Sequence, residues 1–257
     1  MRRLVFLLFA AFILFGCDSN STLPPVTVDL LPIEISPKST EKTGMKYTNA
    51  TFSNQSDYIV NSFLLDAKSE EVDEPIHFYW FDTVLPQEIS PKTNCLKDLD
   101  PAQIEYTQLE YQISKDGIIY QITYDFSKEK YEVKSFEDLP DFTPEVTYDQ
   151  LPYQIDAVIA EEDSPQSWPT VFTNNSDQII VEYRIGMLLK DVNEIHYYYT
   201  EDTVFPGETS PSFWGRAPLT GSLEDMEPVT LMYIWKDEDG EQSVEFDYKT
   251  QKYSEGY

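Results

Sequence analysis

The residues best suited to chemistry in this chain are two histidines, each at the start of an aromatic stretch. His77 lies in "EPIHFYWF" and His196 lies in "NEIHYYYT". Histidines that bind zinc usually lie within a few residues of another ligand, as in the HExxH pattern, and neither histidine has such a neighbour. Because the two surroundings resemble each other, we interpret the pair as one structural histidine that has been duplicated. This interpretation predicts no metal site.

Other catalytic patterns were sought along the whole chain. It contains no GxSxG nucleophile turn and no phosphate-binding or dinucleotide-binding glycine motif. Its 46 acidic residues include no pair that stands out as the two carboxylates of a glycosidase. The turn "DEDGE" at 237–241 lacks the ordered oxygen ligands and the distal glutamate of a calcium loop, so we read it as a hairpin turn. We expect a protein that is not an enzyme and that binds no cofactor.

The two aromatic stretches offer a different kind of chemistry, which is recognition by contact. Tyrosine and tryptophan combine a large apolar ring with a polar tip, and they dominate many binding surfaces. Trp80 and Tyr198 are the first candidates for such a surface, accompanied by Tyr79, His77 and His196. The partner would be an envelope protein or a glycan. The alternative is structural, because aromatic residues also favour strands and both faces of a strand can be packed.

The elements that carry these residues are revealed by an internal repeat. "DTVLPQEISP" at 82–91 returns as "DTVFPGETSP" at 202–211, with seven of ten positions identical. "FSNQSDYIVNSFLL" from Phe52 likewise returns as "FTNNSDQIIVEYRI" from Phe172. Two copies of one unit of about 100 residues are therefore expected, each of normal domain length. We place the copies at 31–131 and 151–257, joined by an acidic linker at 132–150.

The hydrophobic pattern of both copies predicts strands. Apolar residues recur at every second position, as in 118–126 and 179–187. No sustained apolar stripe with helical spacing follows the first 20 residues. Pairs such as Asp116-Gly117 mark tight hairpins. We therefore predict an all-β fold made of two tandem antiparallel β-sandwich domains.

One arrangement of motifs resembles a known family. Each copy contains F-x-N-x-S-D, a long strand and a polar turn, and the second copy then contains "PGETS". This order is similar to that of the immunoglobulin-like domains common in bacterial surface lipoproteins. The first copy departs from it at Gln87 and Ile89. The resemblance implies an immunoglobulin-like sandwich outside the cytoplasm, and it carries no catalytic residues.

The N-terminus predicts export and anchorage. Two arginines precede a 12-residue apolar run at 4–15, which is too short to span a membrane and is typical of a signal peptide. The run ends in "LFGC", which resembles the bacterial lipobox and implies cleavage of 1–16 and lipidation of Cys17. Residues 17–30 would then form a lipidated tether. The alternative is a plain signal peptide followed by an incidental cysteine.

Charge and cysteine content narrow the function further. The formal net charge of -28 repels nucleic acid and anionic headgroups, so no nucleic-acid partner is expected. With Cys17 lipidated only Cys95 remains, and no internal disulfide is possible. Cys95 could be reactive, could join two chains or could be incidental.

These observations predict a lipoprotein on the extracytoplasmic face of the cell membrane that binds or spaces another envelope component. A solute-capture lipoprotein of a transporter is one alternative. A secreted enzyme or enzyme inhibitor is the other.

Overall fold

The computed structural model of the protein describes residues 23–39, 46–138, 142–158, 167–237 and 240–256. These residues form an all-β fold whose named strands pair only in antiparallel fashion, and they contain no α-helix. We call 23–138 the first half and 142–256 the second half. Strands of the first half are β1 (Ile33–Ser39), β2 (Lys46–Phe52), β3 (Ile59–Ser69), β4 (Val72–Trp80), β5 (Thr93–Cys95), β6 (Ile104–Lys115), β7 (Ile118–Asp125) and β8 (Lys130–Glu137).

The second half repeats this series strand for strand. Its strands are β9 (Tyr153–Ile155), β10 (Ser167–Phe172), β11 (Ile179–Leu189), β12 (Glu194–Thr200), β13 (Phe213–Arg216), β14 (Met226–Lys236), β15 (Glu241–Asp247) and β16 (Lys252–Glu255). Four short 3-10 turns complete the described elements, at Val28–Leu30, Pro101–Gln103, Tyr148–Gln150 and Leu223–Asp225.

Each half contains one three-stranded and one five-stranded sheet. In the first half the orders are β1-β2-β5 and β4-β3-β6-β7-β8. In the second half they are β9-β10-β13 and β12-β11-β14-β15-β16, which is the same arrangement with each strand replaced by its repeat. The edge strands β4 and β12 carry the two aromatic stretches. The duplication in sequence is therefore also a duplication in topology.

A buried asparagine explains why the motif F-x-N-x-S-D recurs. The Asn54 side chain donates to the carbonyls of Tyr58 at 2.7 Å and Val84 at 3.1 Å, while its oxygen accepts from Ser56. Asn174 makes the equivalent four bonds in the second half. All hydrogen-bonding groups of the buried amide are thus used, which offsets the cost of burying it. The bond to Val84 also ties the turn to the repeated segment at 82–91.

Two separate hydrophobic cores hold the halves, and each core draws on both sheets of its half. In the first, the rings of Phe52 on β2 and Phe63 on β3 stack with centroids 4.1 Å apart. Phe172 and Tyr183 stack at the same distance in the second. Stacked aromatic pairs contribute roughly 0.5–1.5 kcal/mol beyond their buried area. The same aromatic contact thus joins the two sheets of each half.

The structured part of each half begins earlier than the sequence boundaries suggest. Val26 lies in the segment assigned to the tether, yet it is fully buried in the first core, and its carbonyl accepts from Tyr111 at 2.6 Å. Val146 lies in the segment assigned to the linker and is fully buried in the second core, where its carbonyl accepts from Tyr233. Strand β8 also extends past residue 131. The tether and linker boundaries are therefore corrected, because both segments contribute a core valine.

None of the described residues belongs to a helix long and apolar enough to cross a membrane. The predicted signal peptide at 1–16 and the predicted lipidation site, Cys17, lie outside the described residues.

Candidate binding surface

Trp80 and Tyr198, the first candidates for an exposed binding surface, lie in the two cores. Trp80 is 3% exposed, and its indole nitrogen donates to the carbonyl of Pro91 at 2.8 Å. Tyr198 is 0% exposed, and its hydroxyl donates to the carbonyl of Arg216 at 2.9 Å. A Cβ atom at Gly215 would come within 2.4 Å of the Tyr198 ring, so that glycine makes room for it. The prediction that these two rings could form a binding surface is wrong.

The opposite face of β4 carries an exposed row of rings that we call the aromatic ladder: His77, Tyr79 and Phe81. Tyr79 is 45% exposed and Phe81 is 75% exposed. The Tyr79 and Phe81 rings are nearly parallel with centroids 6.0 Å apart, and His77 lies 5.8 Å from Tyr79. Alternation along the strand accounts for this, because the residues between them point into the core. Two of the predicted surface residues, His77 and Tyr79, are therefore brought together.

His77 is held in place by an acidic neighbour. Its Nδ1 atom lies 2.6 Å from a carboxylate oxygen of Asp66, the residue directly opposite on β3. This contact fixes the ring orientation at the start of the ladder. It also gives the imidazole a partner, so the histidine has a structural role on an exposed face.

The two histidines are not equivalent, which corrects the interpretation of a duplicated residue. His77 pairs with Asp66 on β3, whereas His196 pairs with Met187 on β11. Since Asp66 corresponds to residue 186, the position equivalent to His77 is Tyr197. A one-residue shift moves a side chain to the other face of a strand. His196 accordingly faces the other sheet, where Arg216 donates to its Nε2 atom at 3.0 Å.

The second half exposes a shorter aromatic pair, Tyr197 and Tyr199. The Arg184 guanidinium lies 4.9 Å from the Tyr199 ring centroid and 5.9 Å from that of Tyr197. A Cβ atom at Gly186 would lie 3.0 Å from the Tyr197 ring, so this ring lies directly over the glycine. Tyr197 is as exposed as Tyr79, but Tyr199 is 36% exposed whereas Phe81 is 75% exposed, so the ladder in the first half is the more open aromatic surface.

The two halves contact each other mainly through residues 82–92, which we call the first docking segment. Thr83 donates to the Asp247 carboxylate, and the Lys249 amine lies 2.7 Å from a Glu88 carboxylate oxygen. On the other side, the Asn193 amide donates to the carbonyl of Ser90 at 3.0 Å. The repeated segment therefore has a second role in the first half, beyond turning the chain.

Lys92 ends the first docking segment with two further bonds to the second half. Its backbone nitrogen donates to the carbonyl of Asn193 at 2.7 Å, and its amine donates to the carbonyl of Val192 at 2.9 Å. All the side chains that receive the segment belong to one end of the second five-stranded sheet. We call this surface the receiving face and define it by Val192, Asn193, Asp247 and Lys249.

A cleft of about 980 Å³ lies beside this contact and is lined by both halves. The pKa of Asp82 in this cleft is raised to about 6, mainly because the carboxyl is buried; Lys249 lowers this pKa, and the nearby carboxylates of Glu245 and Asp247 raise it. Burial also raises the pKa of Glu245 and brings that of Tyr197 to about 12. The cleft thus gathers carboxylates that favour protonation when they are covered.

Cys95 lies at the end of β5 and is buried, with its sulfur 4.0 Å from the carbonyl oxygen of Lys97. It forms part of the first core. A buried thiol of this kind behaves as a small apolar side chain. Among the described ranges, no cluster of three or more histidine, cysteine, aspartate or glutamate residues could hold a metal ion. Two residues of the "DEDGE" turn, 238 and 239, lie outside those ranges.

Comparison with known proteins leaves the function to be inferred from this geometry. No protein-family model matches the chain, and no curated protein sequence matches it either.

Proposed function

We propose that the chain is a lipid-anchored protein of the extracytoplasmic face of the cell membrane, and that it binds another envelope component without catalysing a reaction. In this proposal each half is an immunoglobulin-like β-sandwich. Support for the sandwich comes from the two antiparallel sheets that share one core in each half. Support for the anchor comes from the apolar run at 4–15 followed by "LFGC".

The observation that carries the binding proposal is the exposure of Tyr79 and Phe81 on an edge strand. Adjacent large rings that are 45% and 75% exposed cover no core of their own half. Binding hot spots are enriched in such aromatic residues, because a rigid ring buries much area for little loss of conformational entropy. Asp66 and His77 add a hydrogen-bonded polar pair beside the rings. The ladder therefore offers both apolar contact and polar specificity.

An envelope protein is the first choice of partner, and a glycan is the alternative. The strongly acidic surface disfavours an anionic wall polymer as the partner. A photoreactive residue placed at Tyr79 should crosslink one discrete protein in intact cells. The same residue placed at the exposed Glu34 position of β1 is the matched control. Discrete product from Tyr79 alone supports a protein partner, whereas a diffuse, glycosidase-sensitive product supports a glycan. Equal amounts of crosslinked product at both positions would refute the assignment of the ladder as the binding surface.

The anchor is tested separately. Cys17→Ser should abolish labelling of the chain by fatty-acid precursors and release it from the membrane fraction. The matched control is Cys95→Ser, which removes the other cysteine and should leave labelling unchanged. Labelling that survives Cys17→Ser would refute the lipidation of this residue.

A second candidate function is favoured by the cleft between the halves. Its volume of about 980 Å³ is at the upper end for small-molecule sites, and Arg184, Tyr197 and Asp82 all line it. A solute-capture protein would use such a cleft. A screen of amines, sugars and short peptides should then raise the melting temperature of the parent chain, and Tyr197→Ala should remove the effect. If none of these solutes raises the melting temperature, the result favours the aromatic ladder as the binding site.

A further inference from the structure

Residues 202–212, which we call the second docking segment, repeat the first docking segment, but the hydrogen bonds described for them stay within the second half. Thr83, Leu85 and Glu88 of the first segment are partly covered. Their repeats are exposed, and the ring of Phe205, which replaces Leu85, is 51% exposed. The chain therefore presents one copy of the segment docked and the other uncovered.

The contacts that dock the first segment use residues that the second segment keeps. Thr83 and Glu88, which bind Asp247 and Lys249, are repeated as Thr203 and Glu208. Glu208 also makes the same internal bond as Glu88, because its carboxylate accepts from the backbone nitrogen of Phe205. The segment conformation is thus repeated along with the residue types. One bond is lost, since Ser212 replaces Lys92.

Among the described residues, the equivalent surface of the first half matches the second segment less well than the receiving face does. The equivalent end of the first five-stranded sheet keeps a carboxylate, Asp125, in place of Asp247; its oxygen likewise accepts from two following backbone nitrogens. However, Ser127 stands in place of Lys249 and Asp73 in place of Asn193. The amide donor is therefore missing there, and the cation of this turn, Lys128, is already paired with Asp125 at 2.5 Å. The second half of another copy offers a face with the full set of receiving residues.

We propose that the second docking segment binds the receiving face of a second copy of this chain, in competition with the first docking segment of that copy. Within one chain the first segment has an effective concentration in the millimolar range, so it covers the face and holds association back. Loosening the first segment uncovers the face. The proposal depends neither on the lipid anchor nor on the aromatic ladder.

The test weakens only the first segment. In the full-length chain purified in detergent, Thr83→Val, Glu88→Gln and Lys92→Ala together remove its side-chain bonds to the receiving face and leave that face intact. Self-association, measured by analytical ultracentrifugation, should strengthen by roughly tenfold or more over the parent chain. Adding Thr203→Val and Glu208→Gln should return it to the parent value. The proposal would be overturned if the triple variant associated no more strongly than the parent chain. It would also be overturned if the variant with all five substitutions associated as strongly as the triple variant.

A second measurement keeps the test valid if the triple variant folds poorly. One chain carries Thr203→Cys and another carries Asp247→Cys, both with Lys92→Ala, and the two are mixed with a short bismaleimide. Crosslinking between unlike chains should exceed, by roughly tenfold, that of a control mixture in which Glu34→Cys replaces Asp247→Cys. Equal yields in the two mixtures would also overturn the proposal.

Discussion

Glu88 and Lys249 come from different halves of the chain, and their charged atoms lie 2.7 Å apart. The lysine side chain is 15% exposed and the glutamate side chain 37% exposed. Because the pair is partly screened by solvent, we expect a coupling free energy of about 1 kcal/mol. A double-mutant cycle with Glu88→Gln and Lys249→Met, followed by denaturant unfolding, measures it. A coupling of zero would mean that the two halves are not held together by this contact.

Asp82 makes the contact between the halves sensitive to pH. Its pKa is raised from the ordinary value of 3.8 to about 6, mainly by burial, and the charged groups that shift it, Lys249, Glu245 and Asp247, all belong to the other half. The docked form therefore binds more protons between these values, so docking is more stable at low pH and weakens as pH rises from about 4 through 6. Lys249, Glu245, Asp247 and Tyr197 face this carboxyl in the cleft.

We expect docking to lose about 1–2 kcal/mol between pH 4.5 and pH 7.5, less than the full shift because Asp82 is only half-buried. Interdomain distance in a doubly labelled chain reports the change. Asp82→Asn should flatten the profile, and Asp202→Asn, at the exposed repeat position, should not. A profile that Asp82→Asn leaves unchanged would show that another group is responsible.

Gln87 and Gly207 occupy the same bend in the two docking segments and share a left-handed backbone, with φ of 69° and 80°. A residue with a Cβ atom is strained in this region, by roughly 1 kcal/mol. Open space surrounds the Cβ position at Gly207, so backbone strain alone should decide the outcome. Gln87→Gly should therefore stabilise the first half by about 0.5–1 kcal/mol, and Gly207→Gln should destabilise the second by a similar amount. Chemical denaturation measures the change in unfolding free energy for each variant. Changes of the same sign in the two variants would contradict this explanation.

Trp80 and Tyr79 are neighbours on β4 with opposite roles. Trp80 packs edge-on against Phe52 and Phe63 in the core, with ring centroids 5.5 and 5.2 Å away. Trp80→Ala should cost about 3–5 kcal/mol of the free energy of unfolding. Tyr79→Ala should cost less than about 1 kcal/mol, because its ring is exposed. Similar losses of unfolding free energy in the two variants would contradict the assignment of Trp80 to the core and Tyr79 to the surface.

The sequence predicts strands and duplication well because both depend on local patterns. The all-β class follows from alternation, and the repeat follows from direct comparison of segments. The true start of each unit was also readable, since "VTVDLLP" from Val26 parallels "VTYDQLP" from Val146. That match indicates that the core of each half begins with this valine.

The faces of individual residues were harder to predict, because the phase of a strand depends on irregularities that composition does not reveal. A register shift between Val60 and Ser62 puts Val60 and Phe63 in the core together, whereas Ile59 is only partly buried. The second half has the equivalent shift between Ile180 and Glu182. In β4 the face exposed to solvent is the one that carries His77, not the one that carries Trp80. The dipeptide Ile-His occurs in both copies and suggested that His77 aligns with His196. The correct alignment pairs His77 with Tyr197, so the exposed pair Tyr197 and Tyr199 was missed.

The most direct test of the central claim measures partner capture by the aromatic ladder in intact cells. Tyr79→Ala combined with Phe81→Ala should reduce capture by roughly tenfold or more. The melting temperature should stay within about 2 °C of the parent value, because neither ring contributes to the core. The control variant, Leu219→Ala with Leu223→Ala, removes two other exposed apolar side chains and should capture as the parent does. Unchanged capture by the ladder variant would contradict the account.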